Sequence, residues 1–463
     1  MHYHHRQVPR SVFRACDIRG VVDRDLDEHA FYTIGCALGL YLHQLQRTAI
    51  YLGRDGRLTS LKFSRALTSG LLEQGIHVYD LGVITTPVMY FASHTQAIDC
   101  GLMVTGSHNP PDYNGLKIVL GGKTLVRDEL EKIYHLLHQV GNQNGTTGAV
   151  NQVDLIPLYQ QAIVERIQIQ RPLKVVVDCA NGAAGPIVPK VLQSLGCVVV
   201  PLYCDVDGHF PHHHPDPAVP ENMQKLIATV QEHNADLGLA FDGDADRLGV
   251  ITNQGEIIWP DRLMILYAQE ILARHPAATI VYDVKCTQNL RQRILMAGGK
   301  PKMCPTGHSL VKQSMLQEEA LLAGEMSGHI FFQDRWFGFD DALYSACRLL
   351  EILGATTRSS SQLFSEIPEH ISTPELKIPL GDERKFLYME RFKRETHFPQ
   401  ARLVLIDGVR AEYPWGWGLI RASNTTPNLV VRFEAQDQAS LKRIQDKFRQ
   451  SMLHIDADLA VPF

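Results

Sequence analysis

A β-branched run that ends in a polar loop, leads through an amphipathic stretch and returns as another β-branched run occurs three times in this chain. That succession restricts the chain to layered α/β folds. In the first instance residues 48–52 lead into Gly53-Arg54-Asp55-Gly56-Arg57 and a helix predicted from about residue 60 to 74. In the second, residues 173–177 lead into Asn181-Gly182-Ala183-Ala184-Gly185, a helix to Leu195 and a strand over 198–202. In the third, residues 280–284 pass through Lys285-Cys286-Thr287 into a helix that ends near Gly298-Gly299. The shared pattern is coarse and no repeat is detectable residue by residue. The last hundred or so residues differ: a hairpin-like region over 403–433 precedes an amphipathic helix over about 438–453, which reads as a separate α+β unit.

With 463 residues the chain is too long for one core and long enough for three or four domains. Breaks are expected at 141–148, near 253–255 and near 359–374. A hydrophobic content of 45% and a charged content of 21% describe a soluble globular protein. The formal charge of −5 argues against a general nucleic-acid or membrane-surface binder. No apolar run approaches the roughly 18 residues of a membrane span, and the N-terminus lacks the apolar core of a signal peptide. Nine cysteines without Cys-x-x-Cys pairs fit reduced thiols in a cytoplasm.

Four loops carry chemistry. Thr105-Gly106-Ser107-His108-Asn109-Pro110 follows an apolar run over 100–104 and precedes a strand-like run over 115–120 that contains Lys117. A serine on a Gly-containing turn at a strand end can present its hydroxyl to a ligand, although most such serines bond only their own loop. Phe241-Asp242-Gly243-Asp244-Ala245-Asp246-Arg247 places carboxylates at alternate positions between two apolar runs. Like charges this close repel unless a cation lies between them, and hard oxygen ligands suit Mg²⁺ or Ca²⁺. An EF-hand does not fit, because the sixth and twelfth positions are Arg247 and Asn253 rather than Gly and Glu. Gly324-Glu325-Met326-Ser327-Gly328-His329 offers an acid, a hydroxyl and an imidazole, groups suited to sugar hydroxyls. Arg421-Ala422-Ser423-Asn424-Thr425-Thr426-Pro427 offers a guanidinium, hydroxyls and an amide suited to phosphate oxygens, or simply a polar hairpin turn.

In this order, and together with Phe13-Arg14-Ala15-Cys16-Asp17-Ile18-Arg19-Gly20, Gly53-Arg54-Asp55 and Thr306-Gly307-His308-Ser309, these loops resemble the motifs of the α-D-phosphohexomutases, of the bacterial phosphomannomutase/phosphoglucomutase type. The resemblance implies an α/β protein of four domains around a central cleft: three α/β domains with mixed sheets, then a C-terminal α+β domain. With the breaks above, the domains are expected at 1–151, 152–255, 256–368 and 369–463. It implies an intramolecular phosphotransferase, an isomerase that interconverts the 1- and 6-phosphates of mannose and glucose. The route would pass through a phosphoserine and a hexose 1,6-bisphosphate, with Mg²⁺ and glucose 1,6-bisphosphate as cofactor and activator.

By the same resemblance Ser107 would carry the phosphoryl group, and Asp242, Asp244 and Asp246 would hold Mg²⁺ with a phosphoryl oxygen on Ser107. Lys117 and His329 would move protons or, for Lys117, steady the phosphoryl; as a base, Lys117 would need a lowered pKa. Arg247 and His308 would line the sugar pocket, and Arg19 would hold the phosphoserine loop. Lys285 would sit near the cleft. Glu325 and Ser327 would read ring hydroxyls, and Arg421, Ser423, Asn424 and Thr425 would grip the phosphate not being transferred.

Departures from the family pattern are Cys16 where Tyr is usual, Pro305 where a basic residue is common, and Ala245 for a frequent Gly. A phosphoglucosamine mutase is the alternative within the class; Met326 and Asn424 favour the hexose type. A catalytically silent phosphosugar binder would be expected to lose the serine or an aspartate, and this chain keeps them. A small phosphosugar is the expected partner, with no nucleic acid, no membrane and a monomeric chain. Consecutive histidines at 212–214 on a Pro-rich loop are a poor zinc site, and His2, His4 and His5 are expected to be disordered.

Overall fold

The computed structural model of the protein describes residues 3–140, 147–424 and 426–463. The predicted break at 141–148 and His2 therefore fall largely outside the described residues. The β-branched runs form the strands they predict, and four sheets result. The first has seven strands: Ile18–Val21, Tyr113–Leu120, Gly101–Val104, Ala49–Arg54, His77–Val83 and Val150–Gln152 in that order, with Lys123–Thr124 beside Tyr113–Leu120. The second has five, in the order Ile257–Ile258, Leu248–Thr252, Leu237–Phe241, Lys174–Asp178, Val198–Leu202. The third has four, Lys300–Cys304, Thr279–Asp283, Leu322–Gly324 and Ile330–Phe332.

These three sheets are mixed, and each repeats one junction. A parallel strand, paired on one side with a parallel neighbour, is followed directly by an antiparallel strand on its other side. Gly101–Val104 runs parallel to Ala49–Arg54 and antiparallel to Tyr113–Leu120. Leu237–Phe241 stands likewise between Lys174–Asp178 and Leu248–Thr252, and Leu322–Gly324 between Thr279–Asp283 and Ile330–Phe332. The loops that join these pairs are the serine, aspartate and Glu-Met-Ser-Gly-His loops. The three motifs thus occupy one topological position at the carboxyl ends of parallel strands, where open α/β sheets bind ligands. The residue pattern of the strands did not reveal this repeat, because it is one of connectivity rather than of side chains.

The fourth sheet is antiparallel. Ile371–Ser372, Asn428–Ala435, Gly416–Ala422, Val409–Tyr413 and Arg402–Val404 follow one another, and Leu376–Pro379 also pairs with Asn428–Ala435. Helix Gln438–Ile455 buries Leu441, Ile444, Phe448 and Met452, at helical spacing, against it. One apolar cluster runs from the first sheet (Tyr51, Met103) through the second (Val175, Leu239) into the third (Ile280, Leu322), so these units share a core. The fourth unit has its own core and meets the third through Trp417 and Leu419 against Val284. Arg410, stacked 3.8 Å over the Trp417 ring, donates there to the carbonyls of Val284 and Cys286 at 2.5 and 2.8 Å.

One expectation is corrected at the N-terminus. His4 is ordered: its backbone N–H reaches His29 Nδ1 at 3.2 Å and the two rings lie 3.6 Å apart, while His5 packs near Tyr32. Helix Glu28–Gln44, which the pattern analysis did not mark, supplies both aromatic partners. The loop histidines are engaged separately: His212 stacks on Tyr203, and His213 pairs with Asp178 at 3.0 Å.

Candidate active site

Ser107 sits at the tip of the first junction with φ +48°, a left-handed conformation uncommon for a non-glycine residue and characteristic of strained functional turns. Two buried groups hold it there. Asp55, at the end of the neighbouring strand, accepts from Thr105 Oγ1 at 2.8 Å and from the Gly106 N–H at 3.0 Å. Arg57 donates to the carbonyls of Ser107, Asn109, Pro110 and Tyr113 at 2.5 to 3.1 Å. Gly106 is required beneath it, since a Cβ there would lie 2.1 Å from Arg57 Nε. Arg19 donates to the Thr105 carbonyl at 2.7 Å and is paired with Asp17, so it braces the same loop.

The aspartate loop lies directly opposite. Ser107 Oγ donates to Asp242 Oδ2 at 2.8 Å. Lys117, one strand away, donates to Asp244 at 2.7 Å and to Asp246. Thr86 donates to Asp244 through its hydroxyl at 2.5 Å and through its backbone N–H at 2.9 Å. Asp242, Asp244 and Asp246 are wholly buried, and their ligand atoms lie within 4.8 Å of one another. Burial, with Asp244 and Asp246 beside it, pushes the Asp242 carboxyl well above the usual range. Burial also opposes the charge on Asp244, but the Lys117 ammonium outweighs it and carries that carboxyl below its ordinary value. One oxygen each of Asp244 and Asp246 has no hydrogen-bond partner among the described residues. A buried cluster of three carboxylates, with one ammonium against it and oxygens unused, fits a hard divalent cation.

Burial works against the charge of Lys117, but Asp244 and Asp246 outweigh burial and raise its pKa above the ordinary lysine value. An ammonium there suits steadying a phosphoryl group.

The third junction closes over this pair. The Leu248 N–H donates to the Gly328 carbonyl at 3.2 Å, and Arg247 Nε donates to His329 Nε2 at 3.1 Å. Glu325, 2% exposed and raised in pKa by burial, accepts from the Gly307 N–H at 2.6 Å. His308 opens helix His308–Gln317 with its ring 5.6 Å from that of His329, and burial lowers its pKa well below the ordinary value. Ser327 is half-buried beside them. Asn424 of the fourth unit donates to the Thr306 carbonyl at 2.9 Å, and Arg421 pairs with Asp407 at 2.9 Å and leaves Nη2 without a hydrogen-bond partner among the described residues. Ser423 Oγ accepts from the Thr426 N–H and hydroxyl. Lys285 is ion-paired with Glu375 at 2.6 Å. Thr425 lies outside the described residues. Cys16, with burial raising its thiol to about 11, lies against Gly307, so it lines the junction of the first and third units.

Asp55, Arg57, Thr86, and Lys312 with its ion-pair partner Asp340, 2.8 Å from it and 3.0 Å from His329 Nδ1, were not singled out as site residues from sequence. The first two lie in the quoted Gly53-Arg54-Asp55-Gly56-Arg57 loop, whose position after a strand was the available signal. The others lie on or beside helices and carried none.

Gly243 separates the two reacting loops. A Cβ there would stand 2.5 Å from the Ser107 carbonyl oxygen, so backbone must give way. Gly243→Ala should push the serine loop from the aspartates and lower turnover by about 10²-fold, since a displacement near 1 Å has effects of that size. Steady-state turnover, with a thermal melt as control, checks this.

All four segments of the chain match models of one family. These are the phosphoglucomutase/phosphomannomutase alpha/beta/alpha domains I, II and III at residues 10–144, 157–255 and 259–371, and the C-terminal domain at 375–451. A phosphomannomutase/phosphoglucomutase of Pseudomonas aeruginosa is 50% identical over 98% of this chain and 98% of its own. A phosphoglucomutase of Neisseria gonorrhoeae is 45% identical over 96% of each. Among solved structures, a phosphoglucomutase/phosphomannomutase family protein of Burkholderia thailandensis superposes with a TM-score of 0.94 at 45% identity, covering 98% of this chain and 100% of that one.

Proposed function

The chain belongs to the phosphoglucomutase/phosphomannomutase family and is a hexose-phosphate mutase, and on that premise we propose that it interconverts the 1- and 6-phosphates of mannose and glucose through a phosphoryl group on Ser107. The observation that carries this reading is the Ser107 hydroxyl bonded at 2.8 Å to the first of three buried aspartates, with a buried lysine on the other two. Phosphoryl transfer needs in-line positioning and neutralised charge more than covalent devices. The cluster supplies the charge and the junction supplies the position.

Asp242, Asp244 and Asp246 would hold Mg²⁺, with an oxygen of phosphorylated Ser107 completing the set. When bound, the ion neutralises charge on the transferring phosphoryl. Lys117 steadies the same group from the side. Glu325 and Ser327 accept from and donate to ring hydroxyls that both sugars share, and His308 and Arg247 line that pocket. Arg421, Ser423, Asn424 and Thr425 bind the phosphate that stays on the sugar; Lys285 stands at the edge of this subsite and exchanges Glu375 for ligand. His329 takes the proton of the attacking hydroxyl. A hexose 1,6-bisphosphate is then formed and must turn over within the cleft before its other phosphate returns to Ser107. Added glucose 1,6-bisphosphate would rephosphorylate enzyme that has lost its phosphate. We read the chain as a monomer of the cytoplasm; among the described residues no helix is long and apolar enough to cross a membrane.

A coupled assay with mannose, glucose and glucosamine 1-phosphates, Mg²⁺ and a trace of glucose 1,6-bisphosphate tests the substrate assignment. Turnover of the first two is expected. Strong activity on glucosamine 1-phosphate with little on the others would overturn it.

A further inference from the structure

We propose that Cys179 and Cys204 form a site of oxidative modification, closing to an intramolecular disulfide under hydrogen peroxide, and that the closed form shifts the aspartate loop out of line with Ser107. The pair lies outside the phosphoryl-transfer cluster. The loss of turnover that follows rests on the mutase reading above; the bond itself does not.

The two thiols stand at the ends of neighbouring parallel strands. Cys179 follows Lys174–Asp178, Cys204 lies just beyond Val198–Leu202, and Asp178 is opposite Leu202 in the register. The Cys179 N–H donates to the Leu202 carbonyl at 3.1 Å, and Tyr203, left-handed at φ +51°, bends the chain just before Cys204. The sulfurs lie 3.5 Å apart. A disulfide needs its Cα atoms about 4.4 to 6.8 Å apart, a range that includes the spacing of adjacent strands, about 4.8 Å. Cys179 is fully buried and Cys204 is partly exposed, so an oxidant meets Cys204 first. A hydrogen bond from Cys179 also lowers the Cys204 thiol below its ordinary pKa, whereas burial raises each of the other eight thiols. The thiolate is the form that reacts.

The chemistry balances with hydrogen peroxide as the oxidant. The Cys204 thiolate attacks one peroxide oxygen. An S–O bond forms, the O–O bond breaks, and the hydroxide that leaves takes up the proton Cys204 gave off, as water. Cys204 is then a sulfenic acid. The Cys179 sulfur, giving up its proton, attacks the Cys204 sulfur. The S–S bond forms, the S–O bond breaks, and the departing hydroxide leaves with that proton as a second water. Both thiols are oxidised, the peroxide is reduced, and a dithiol reductant reverses the bond.

Residues 179–185 carry the change to the aspartate loop. The Gly182 N–H donates to the Cys179 carbonyl at 2.7 Å, and the Ala183 N–H donates to the Gly243 carbonyl at 3.0 Å. A Cβ on Gly182 would stand 2.8 Å from that same Gly243 oxygen, and one on Gly185 would stand 1.8 Å from the Cys204 carbonyl oxygen. The segment is thus wedged between the backbone of Cys204 and the aspartate loop. Ala180 and Asn181 within it are both left-handed, at φ +46° and +56°, a conformation held by its surroundings. Bringing the sulfurs to disulfide distance moves them closer by about 1.5 Å, and the backbone that gives way bears on Gly243. Gly243 stands between Asp242 and Asp244 and against the Ser107 carbonyl. A displacement near 1 Å there costs about 10²-fold in transfer.

The test treats reduced full-length protein with hydrogen peroxide, blocks free thiols with N-ethylmaleimide and maps peptides by mass spectrometry without reduction. Cys179 and Cys204 should appear as one linked pair, turnover should fall about tenfold or more, and dithiothreitol should reverse both. Cys204→Ser, with Cys204→Ala as a second variant, should keep its turnover within about twofold under the same treatment. Amide hydrogen exchange over residues 179–185 and 241–247 should rise in oxidised wild type and not in the variants, a readout that holds whether or not the enzyme turns over. Both thiols labelled by maleimide after peroxide would overturn the proposal, as would Cys179 linked to a different cysteine. So would a linked pair with exchange over 241–247 unchanged, or a Cys204→Ser protein inactivated as fully as wild type, since the loss would then arise at another thiol such as Cys16. A wild type inactive before peroxide would instead count against the mutase reading, with linkage and exchange still deciding this one.

Discussion

Ser107→Ala should lower turnover by about 10³-fold or more and leave the melting temperature close to that of wild type. The hydroxyl makes two side-chain contacts, with Asp242 and His108, at 2.8 and 3.1 Å. Neither holds the loop: Arg57, Asp55 and Arg19 do that through backbone atoms, and they are untouched by the substitution. Removing the hydroxyl also removes a donor from Asp242, which keeps the backbone N–H groups of Asp246 and Arg247, each at 3.1 Å. The coupled assay reads the first expectation and a thermal melt the second. Retention of more than about a tenth of wild-type turnover would mean that another group carries the phosphoryl.

Asp244→Asn should weaken Mg²⁺ binding and slow transfer together, each by about 10²-fold, because one charge serves both. The Asp244 carboxylate takes hydrogen bonds from Lys117 and Thr86 and leaves one oxygen open. The amide preserves its shape, so loss of the charge and not of the loop is being measured. Mg²⁺ should also bind more tightly to the phosphorylated protein, since phosphoserine adds about 1.5 to 2 negative charges. Calorimetric titration of both states, in wild type and Asp244→Asn, checks the pair of expectations. Equal affinity in the two states would show that the aspartates and the phosphoserine do not share an ion.

The parts of this site that could be read from the chain are those whose chemistry is concentrated in one short loop. Asp242, Asp244 and Asp246 announce themselves because three carboxylates between two apolar strands have no structural purpose. Ser107 needed company to stand out, and Glu325, Ser327 and Arg421 needed the order of the motifs. What could not be read depends on contacts between distant positions. Thr86 meets Asp244 across 158 positions, and Arg57 reaches carbonyls 50 to 56 positions away. Asp340 resembles any acidic residue before a helix until the fold sets it against His329. The charge state of Lys117 was open for the same reason: a lysine in a strand can be driven either way by burial, and only its two carboxylate partners decide. Strands and helices near the motifs were legible from periodicity, as helix Ser60–Glu73 and strand Val198–Leu202 show. Helix Glu28–Gln44 was not: most of its positions from Ala30 to Leu42 are buried, so it lacks the polar face that marks an amphipathic helix.

The account stands or falls on where the phosphoryl group resides during turnover. Phosphorylated enzyme mixed in single-turnover amounts with glucose 1-phosphate, quenched at intervals and peptide-mapped by mass spectrometry, measures this directly. The phosphate should map to Ser107, leave it as glucose 1,6-bisphosphate appears, and return to it as glucose 6-phosphate forms, at rates no slower than kcat. A phosphate found on Ser327 or Ser423 with Ser107 bare in active enzyme would contradict the account.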